Sequence, residues 1–233
     1  MKKIGIIGAM EEEVEQLIAE MNDKQLVRKA SMNFYTGKLC GCDAVVVRCG
    51  IGKVNAALCV QILADIFEAD CVINTGIAGG LDARIKIGDV VVSTEALEHD
   101  MDAGGFGYEA GVIPQMDVSV FQADEPLRDL AVRVCREVNP DIQVLPGRIL
   151  TGDQFVCSRE KKEWLTKTFH GACVEMEGAA IAHAAYLNQI PFVILRGISD
   201  QADDGAEMDY DTFEKLAILH SVRLVKGMLE QLM

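Results

Sequence analysis

The sequence is poor in positive charge. Its 233 residues include 22 lysines and arginines against 36 aspartates and glutamates, for a formal net charge of −14. The basic groups that do occur, such as residues 159–162, are short, and a solvated helix face explains them. Because phosphate backbones are bound by clusters of Lys and Arg, this composition argues against a nucleic-acid partner.

Membrane-length apolar runs and metal-binding spacings are also missing. No apolar stretch approaches the ~20 residues of a membrane span. The apolar run at residues 4–10 contains two glycines and stops at three glutamates, so it predicts a strand rather than a signal sequence. The eight cysteines form no CxxC pair and the four histidines no HxxxH pair, which argues against a zinc site. Cysteines scattered through predicted strands and helices are typical of reduced side chains, so we expect a cytoplasmic protein.

Short apolar runs alternate with helical patterns along the chain. Strands are predicted at residues 3–8, 34–40, 43–49, 71–74, 89–93, 143–150 and 191–196, and helices at 54–67, 129–138 and 161–169 and from residues 10, 176 and 209. No internal repeat or linker is visible, so we predict a single domain over residues 1–233. The alternation predicts a three-layer α/β fold, in which a central mixed, largely parallel β-sheet is flanked by helices.

Two carboxylates stand among apolar and small residues at positions 173–180. Glu175 and Glu177 lie where a buried strand is predicted to end and a helix to begin. A carboxylate in apolar surroundings costs several kcal/mol unless it is paired, hydrogen-bonded or protonated, which favours a functional role. An acid in the first turn of a helix also gains from the helix dipole, so a purely structural role stays open.

Polar segments follow several predicted strands. They are residues 11–13, 76–80, 151–155, 175–177 and 199–200. Ligands of open α/β sheets bind beyond the carboxyl ends of the strands, so we expect these segments to form one site. At helical spacing Glu12 should face water, whereas Glu11 and Glu13 both remain candidates to turn towards the sheet. Several carboxylates in one pocket suit glycosidic-bond cleavage, in which one acid protonates the leaving group and another activates water.

Five motifs spread over essentially the whole chain carry a family resemblance. They are Gly-Ala-Met-Glu-Glu-Glu-Val at 8–14, Gly-Ile-Gly-Lys-Val at 50–54, Asn-Thr-Gly-Ile-Ala-Gly-Gly at 74–80, Val-Glu-Met-Glu at 174–177 and Arg-Gly-Ile-Ser-Asp at 196–200. In this order they resemble the 5′-methylthioadenosine/S-adenosylhomocysteine nucleosidases of the purine nucleoside phosphorylase superfamily. The resemblance implies a nucleoside phosphorylase-like fold, a homodimer, no cofactor, and hydrolysis of the N9–C1′ bond to adenine and a thioribose product in methionine salvage. The implied substrates are methylthioadenosine, S-adenosylhomocysteine and 5′-deoxyadenosine.

The same resemblance implies roles for individual residues. Asp200 would protonate adenine N7, Glu13 would activate the attacking water, and Glu177 would accept the ribose 2′-OH and stabilise positive charge at C1′. The other implied substrate contacts are Met10, Ile51, Ala78, Gly79, Phe155 (stacked on adenine), Val156, Glu175, Met176 (under the ribose), Arg196 (at the water) and Ser199 (beside Asp200). Ala103, Phe106 and Pro114 would enter the alkylthio pocket of a second copy. Ile77 departs from the Ser of some relatives, which leaves the detailed water contacts open.

Rival functions share much of this pattern. A phosphorylase of the same fold needs cationic or amide donors for phosphate, and the three glutamates at 11–13 disfavour it. A hydrolase of another nucleoside, such as futalosine, would use a similar pocket. A non-catalytic nucleoside-binding protein is the third alternative, although binding a neutral adenosine analogue does not require buried acids.

Overall fold

The computed structural model describes residues 3–232, except for the side chains of residues 207, 208 and 211. The strands are β1 (Lys3–Gly8), β2 (Asn22–Lys29), β3 (Met32–Leu39), β4 (Cys42–Arg48), β5 (Cys71–Gly80), β6 (Val90–Glu98), β7 (Phe121–Gln122), β8 (Val144–Thr151), β9 (Cys173–Glu175) and β10 (Phe192–Asp200). The helices are α1 (Glu11–Ala19), α2 (Lys53–Asp65), α3 (Glu125–Val138), α4 (Arg159–Phe169), α5 (Gly178–Leu187) and α6 (Ala206–Leu232). No helix in this part of the chain is long and apolar enough to span a membrane.

All of these strands belong to one mixed sheet, as predicted. Its path runs β10-β6-β8-β9-β5-β1-β4-β3-β2, with β7 on β6 and a further pairing of β10 with β5. Strands β5, β10, β6, β8 and β9 therefore form a closed circuit, from which β1, β4, β3 and β2 extend. Parallel pairs join β1 to β4 and β5, β10 to β5, and β8 to β6 and β9. The other pairs are antiparallel, so antiparallel pairing is more extensive than the sequence predicted.

Helices cover both faces of the sheet, which confirms the predicted three layers. On one face, α2 and α5 pack on a core that includes Phe34 and Ile181. On the other face, α1, α3 and α6 pack on a core that includes Ile6 and Leu17. Strands covered on both faces read as nearly continuous apolar runs, and every residue of β10 is buried. The single domain over residues 1–233 stays a prediction, and residues 1, 2 and 233 lie outside the described part.

Three strands extend further than the sequence predicted, and β6 is one of them because it continues to Glu98. Residues 76–80 and 197–200 were expected to be loops, but they continue β5 and β10, where they pair with each other over much of their length. Pairing between parallel neighbours holds these glycine-containing segments extended, and local propensity does not reveal it. The site residues on these segments therefore stand on strands rather than on loops.

Strand β2 was not predicted at all. Seven of its eight residues are exposed, and its sequence NDKQLVRK lacks the apolar alternation that indicates a half-buried strand. It forms by antiparallel pairing with β3 at the outer end of the sheet. The pairing partner, rather than the side-chain pattern, determines its conformation.

Candidate active site

A cavity of about 550 Å³ opens where β1, β5, β9 and β10 end. This size falls in the usual range for small-molecule sites. Its described lining residues are Ala9, Met10, Glu13, Ile51, Ile77, Ala78, Gly79, Gln154, Phe155, Val156, Val174, Glu175, Met176, Glu177, Ser199, Asp200 and Tyr210. The polar segments that follow separate strands in the sequence thus meet at one place, as predicted.

Most of the predicted site residues lie on this cavity. All three predicted catalytic acids and nine of the predicted binding residues line it: Met10, Ile51, Ala78, Gly79, Phe155, Val156, Glu175, Met176 and Ser199. The other four predicted residues do not. Arg196 lies behind the wall, whereas Ala103, Phe106 and Pro114 lie on the connection between β6 and β7. The entry of these three residues into the pocket of a second copy stays a prediction.

Helix α1 turns one of its three consecutive glutamates into the cavity. Glu13 is 4% exposed, whereas Glu11 and Glu12 are both exposed. The predicted orientation of Glu12 towards water is confirmed. The choice between Glu11 and Glu13, which the sequence left open, falls on Glu13 because only that side chain is buried at the end of β1.

Backbone N–H groups hold the carboxylate of Glu13. The N–H groups of Ala9 and Met10 donate to Oε2 at 2.6 and 3.0 Å, and the N–H group of Ile77 donates to Oε1 at 3.2 Å. Burial raises the pKa of Glu13, and the charge of Arg196 and these hydrogen bonds oppose the rise. The result is an oriented carboxylate that takes up a proton more readily than an exposed glutamate does.

Glu177 sits at the junction of β9 and α5, where it is 6% exposed. The N–H group of Gly52, which precedes α2, donates to its Oε1 at 2.8 Å. Burial, and next the charge of Glu175, raise the pKa of Glu177 from 4.5 to about 8. This carboxyl group therefore changes its charge near neutral pH.

Glu175 forms an ion pair with Arg196 behind the cavity. Arg196 donates to Glu175 Oε2 from Nε at 3.1 Å and also from Nη2, and the two side chains are 3% and 2% exposed. Arg196 Nη2 also contacts Asn74 Oδ1 at 2.6 Å, and the Thr151 hydroxyl donates to Glu175 Oε1. Arg196 thus holds Glu175 in place, and its predicted contact with the reacting water stays a prediction.

Asp200 is the last residue of β10 and also lines the cavity. The Ser199 hydroxyl donates to its Oδ2 at 2.8 Å, and the N–H group of Ala202 donates to its Oδ1 at 2.7 Å. Burial raises the pKa of Asp200 above its ordinary value, although these two hydrogen bonds oppose the rise. A carboxyl group that keeps its proton to higher pH is suited to act as an acid.

Two glycines of β5 allow the acids to approach the strand. A Cβ atom on Gly76 would lie 2.6 Å from Glu13 Oε1, and one on Gly79 would lie 2.7 Å from Asp200 Oδ1. Both distances are too short for a side chain to fit without displacing a carboxyl group. The glycine-rich motif of residues 74–80 is therefore required for the placement of two acids.

Sequence reasoning missed Tyr210, which also lines the cavity, and Gln154 was expected there only as part of the segment 151–155. The Tyr210 ring stands edge-on to Phe155, with ring centroids 6.1 Å apart, and its hydroxyl donates to Glu214 at 3.0 Å. An aromatic residue in the first turns of α6, shortly after Asp200, was the available signal. Among the residues that the structure describes, no group of three or more His, Cys, Asp or Glu is placed to hold a metal ion.

Comparisons with known proteins agree with this geometry. A family model described as the phosphorylase superfamily matches residues 3–230, so the chain belongs to that superfamily. The 5′-methylthioadenosine/S-adenosylhomocysteine nucleosidase of Exiguobacterium sp. is 43% identical over 99% of this chain and 98% of its own length. Within the superfamily, the chain belongs to the 5′-methylthioadenosine/S-adenosylhomocysteine nucleosidases, which are hydrolases of the N-glycosidic bond.

Solved structures of related proteins support the same family and fold. The nucleosidase of Neisseria meningitidis, in complex with methylthio-immucillin-A, matches with a TM-score of 0.94 and 40% identity, over 99% of this chain and 100% of that chain. The futalosine hydrolase of Helicobacter pylori matches with a TM-score of 0.93 and 33% identity, over 99% of this chain and 98% of that chain. The predicted family and the nucleoside phosphorylase-like fold are confirmed.

Proposed function

We propose that this protein hydrolyses the N9–C1′ bond of 5′-methylthioadenosine, S-adenosylhomocysteine and 5′-deoxyadenosine. The products are adenine and the matching thioribose or deoxyribose, and the reaction belongs to methionine salvage. One observation carries the proposal: Glu13, Glu177 and Asp200, from three separate elements, are buried at a single cavity.

Asp200 is the proposed acid for the leaving group. Its carboxyl group keeps a proton more readily than an exposed aspartate because it is buried. It passes that proton to adenine N7 as the electron pair of the C1′–N9 bond moves into the base, so that adenine leaves without a negative charge. The Ser199 hydroxyl, at 2.8 Å, holds Asp200 in the orientation that this transfer needs.

Glu177 stabilises the sugar. Its carboxylate accepts the ribose 2′-OH and faces the positive charge that develops at C1′ as the bond to adenine breaks. Because its pKa is about 8, it is poised to ionise, and a cation at C1′ favours the ionised form. Met176, the preceding lining residue, lies under the ribose.

Glu13 activates the water. Its carboxylate takes a proton from a water molecule while the water oxygen bonds to C1′, which completes the ribose product. Three backbone N–H groups fix the direction of the carboxylate before the substrate binds. Such preorientation lowers the entropic cost of the reaction.

The purine occupies the side of the cavity next to Asp200. Phe155 stacks on adenine, the Val156 backbone reads the edge of the base, and Ala78 and Gly79 line the purine pocket. Phe155 is 47% exposed, and the Tyr210 ring packs nearly perpendicular to it. An exposed aromatic ring at a cavity mouth has one face free for a base.

We also propose a cytoplasmic homodimer that completes the site. The Phe106 ring is 87% exposed, and Ala103 and Pro114 lie on the same connection outside this chain's own cavity. Aromatic residues, Phe included, are enriched at protein–protein interfaces. Light scattering tests the dimer, and Phe106→Ala should raise the KM for methylthioadenosine if the ring enters the other copy's pocket. A monomer of full activity would contradict this part.

Adenine release, measured by chromatography, tests the activity. The purified protein is incubated with methylthioadenosine, S-adenosylhomocysteine and 5′-deoxyadenosine, in phosphate-free buffer and with phosphate added. We expect adenine in both buffers, since the described lining residues include no Lys, Arg or His to hold a phosphate dianion. A phosphate requirement would indicate a phosphorylase, and intact nucleosides after long incubation would indicate a binding protein.

Futalosine hydrolysis is a second candidate. The observation that favours it is the match to the Helicobacter pylori futalosine hydrolase at 33% identity. The same assay with futalosine as a fourth substrate compares the kcat/KM values. A higher value for futalosine than for methylthioadenosine would replace the first proposal.

A further inference from the structure

The carboxylate of Glu177 accepts a hydrogen bond from a residue that does not line the cavity. Its Oε1 accepts the N–H group of Gly52 at 2.8 Å. Gly52 stands at the start of α2 with φ of 97°, a backbone conformation that favours glycine. The position of this turn therefore decides both where the Glu177 carboxylate points and how strongly its ionised form is stabilised.

The residue after Gly52 is fixed at two points. The backbone N–H of Lys53 donates to Asp153 Oδ1 at 2.9 Å. Its ammonium group lies 2.7 Å from Asp100 Oδ1 and 3.0 Å from Glu98 Oε2. The N–H group of Asp153 in turn donates to Asp100 Oδ2 at 3.0 Å. Three segments are joined here: the start of α2, the end of β6 and the loop after β8.

The same contacts fix the purine side of the cavity. Asp153 immediately precedes Gln154, Phe155 and Val156, which line the cavity, whereas Lys53, Asp100 and Asp153 do not line it. This group of charged residues lies outside the cavity. It holds both the Gly52 turn, which donates a hydrogen bond to Glu177, and the loop after β8, which carries Phe155. We call Lys53, Asp100 and Asp153 the clamp.

Two of the three clamp side chains are partly buried, whereas Asp153 is exposed. The side chains of Lys53 and Asp100 are 19% and 17% exposed. Burial alone would lower the pKa of Lys53, but its bonds to Asp100 and Glu98 raise it, so the ammonium keeps its charge. Glu98 also contacts His183 Nδ1 at 3.2 Å, which adds a further partner on α5. Partly buried, mutually bonded ion pairs contribute more than isolated surface pairs.

We propose that Lys53, Asp100 and Asp153 are positioning residues for this enzyme: the clamp fixes the Gly52 turn and the loop before Phe155, and so sets the orientation of Glu177 and of the purine wall. The proposal rests on the proposed role of Glu177. It extends the catalytic machinery to residues that touch neither substrate nor the reacting atoms.

Lys53→Met and Asp153→Ala together test the clamp, because they change charge in opposite directions. Loss of the Gly52 hydrogen bond raises the pKa of Glu177, since that bond favours the ionised form. The proposal therefore expects an upward pKa shift in both variants. If the clamp residues acted on Glu177 only through their charges, the pKa of Glu177 would rise in Lys53→Met and fall in Asp153→Ala.

The pKa of Glu177 is measured by ¹³C NMR titration of carboxyl-labelled glutamate, with Glu177→Gln to assign the signal. This readout does not depend on turnover, so it stays informative even if the wild type fails to release adenine, which would refute the proposed function instead. Steady-state kinetics on methylthioadenosine supply the second readout. We expect kcat/KM to fall by about 10²-fold, as for other misplaced catalytic groups, with Lys53→Arg recovering part of the loss.

The surface pair Lys38 and Asp43 supplies matched controls. Their side chains are 36% and 40% exposed and lie 2.9 Å apart, and Lys38→Met and Asp43→Ala make the same charge changes as the test variants. We expect both to keep the wild-type Glu177 titration. Asp100→Asn is the milder variant if Asp153→Ala does not fold, and it should also raise the pKa of Glu177. Opposite shifts in the two clamp variants, or unchanged titrations, would overturn the proposal.

Discussion

Glu175 and Arg196 form an ion pair that is almost completely buried behind the cavity, with Arg196 Nε 3.1 Å from Glu175 Oε2. Because of this pair, Glu175 and Glu177 differ in their surroundings although they are only two positions apart. Both side chains line the cavity, but Glu175 is paired with a fixed cation, whereas burial raises the pKa of Glu177 to about 8. The motif Val-Glu-Met-Glu thus combines a structural acid with a proposed catalytic one.

Removing Arg196 should destabilise the protein strongly. Arg196→Met leaves the Glu175 carboxylate buried without its partner, which typically costs about 3–5 kcal/mol. For a chain of this size, each kcal/mol lowers the melting temperature by roughly 2–4 °C. Differential scanning fluorimetry measures the change.

Arg84→Met is the matched control for Arg196→Met, because Arg84 pairs with Asp82 on the surface and its side chain is 72% exposed. We expect that control to stay within about 0.5 kcal/mol of the wild type. Adding Glu175→Gln to Arg196→Met should restore part of the stability, since it removes the unpaired charge. A double variant less stable than Arg196→Met would contradict the explanation.

Replacing the proposed base should abolish most of the turnover. Glu13→Gln keeps the shape of the side chain but cannot take a proton from water, so we expect kcat to fall by roughly 10²–10⁴-fold. Adenine release from methylthioadenosine is the measurement. Glu12→Gln, one residue earlier on the exposed side of α1, should keep kcat within about twofold. Equal effects of the two substitutions would remove Glu13 from the mechanism.

Glu177 should make the stability of the protein depend on pH. Its pKa is about 8 in the folded chain, against an ordinary value of 4.5. Below the ordinary pKa both states carry the proton. As pH rises from there through the folded pKa, the unfolded chain loses its proton first, so folding stability falls.

Glu177→Gln imitates the protonated side chain and should therefore be more stable than the wild type at alkaline pH. The difference in melting temperature should be small in acid and grow as pH rises from 4.5 to about 8. Glu12→Gln is again the control, and its difference in melting temperature from the wild type should not grow as pH rises from 4.5 to about 8. A stabilisation that decreased with rising pH would show that the pKa of Glu177 is not raised.

A single methyl group at Gly79 should disturb the proposed acid. The added Cβ would lie 2.7 Å from Asp200 Oδ1 and 2.8 Å from the Ala202 Cβ, so Asp200 must move. We expect Gly79→Ala to lower kcat by about 10²-fold, a typical cost of misplacing a catalytic group. Wild-type kinetics in Gly79→Ala would contradict the tight approach of Asp200.

The sequence predicted the layers, most of the elements and the meeting of the polar segments, because apolar periodicity records which faces are covered. It could not choose between Glu11 and Glu13 on α1. That choice depends on how the helix is rotated at the end of β1, and both residues flank the apolar stripe.

Other features depend on contacts between distant parts of the chain. The hydrogen bond from Gly52 to Glu177 joins residues 125 positions apart, and no local pattern reports such a contact. The extension of β5 and β10 beyond their apolar segments follows from their pairing with each other. Strand β2 is defined by its neighbour β3, since its own residues are mostly exposed.

The open end of the sheet also restricts how copies of this protein can assemble. Each of the strands β5, β10, β6, β8 and β9 has a neighbouring strand on both sides, because they form a circuit. The strands β1, β4, β3 and β2 extend from this circuit, and β2 is the edge strand. Its exposed Lys24, Arg28 and Lys29 would repel the same residues of an identical strand placed alongside. Sheet-to-sheet growth into fibres is thereby discouraged, and self-association is directed to helices and connecting segments instead.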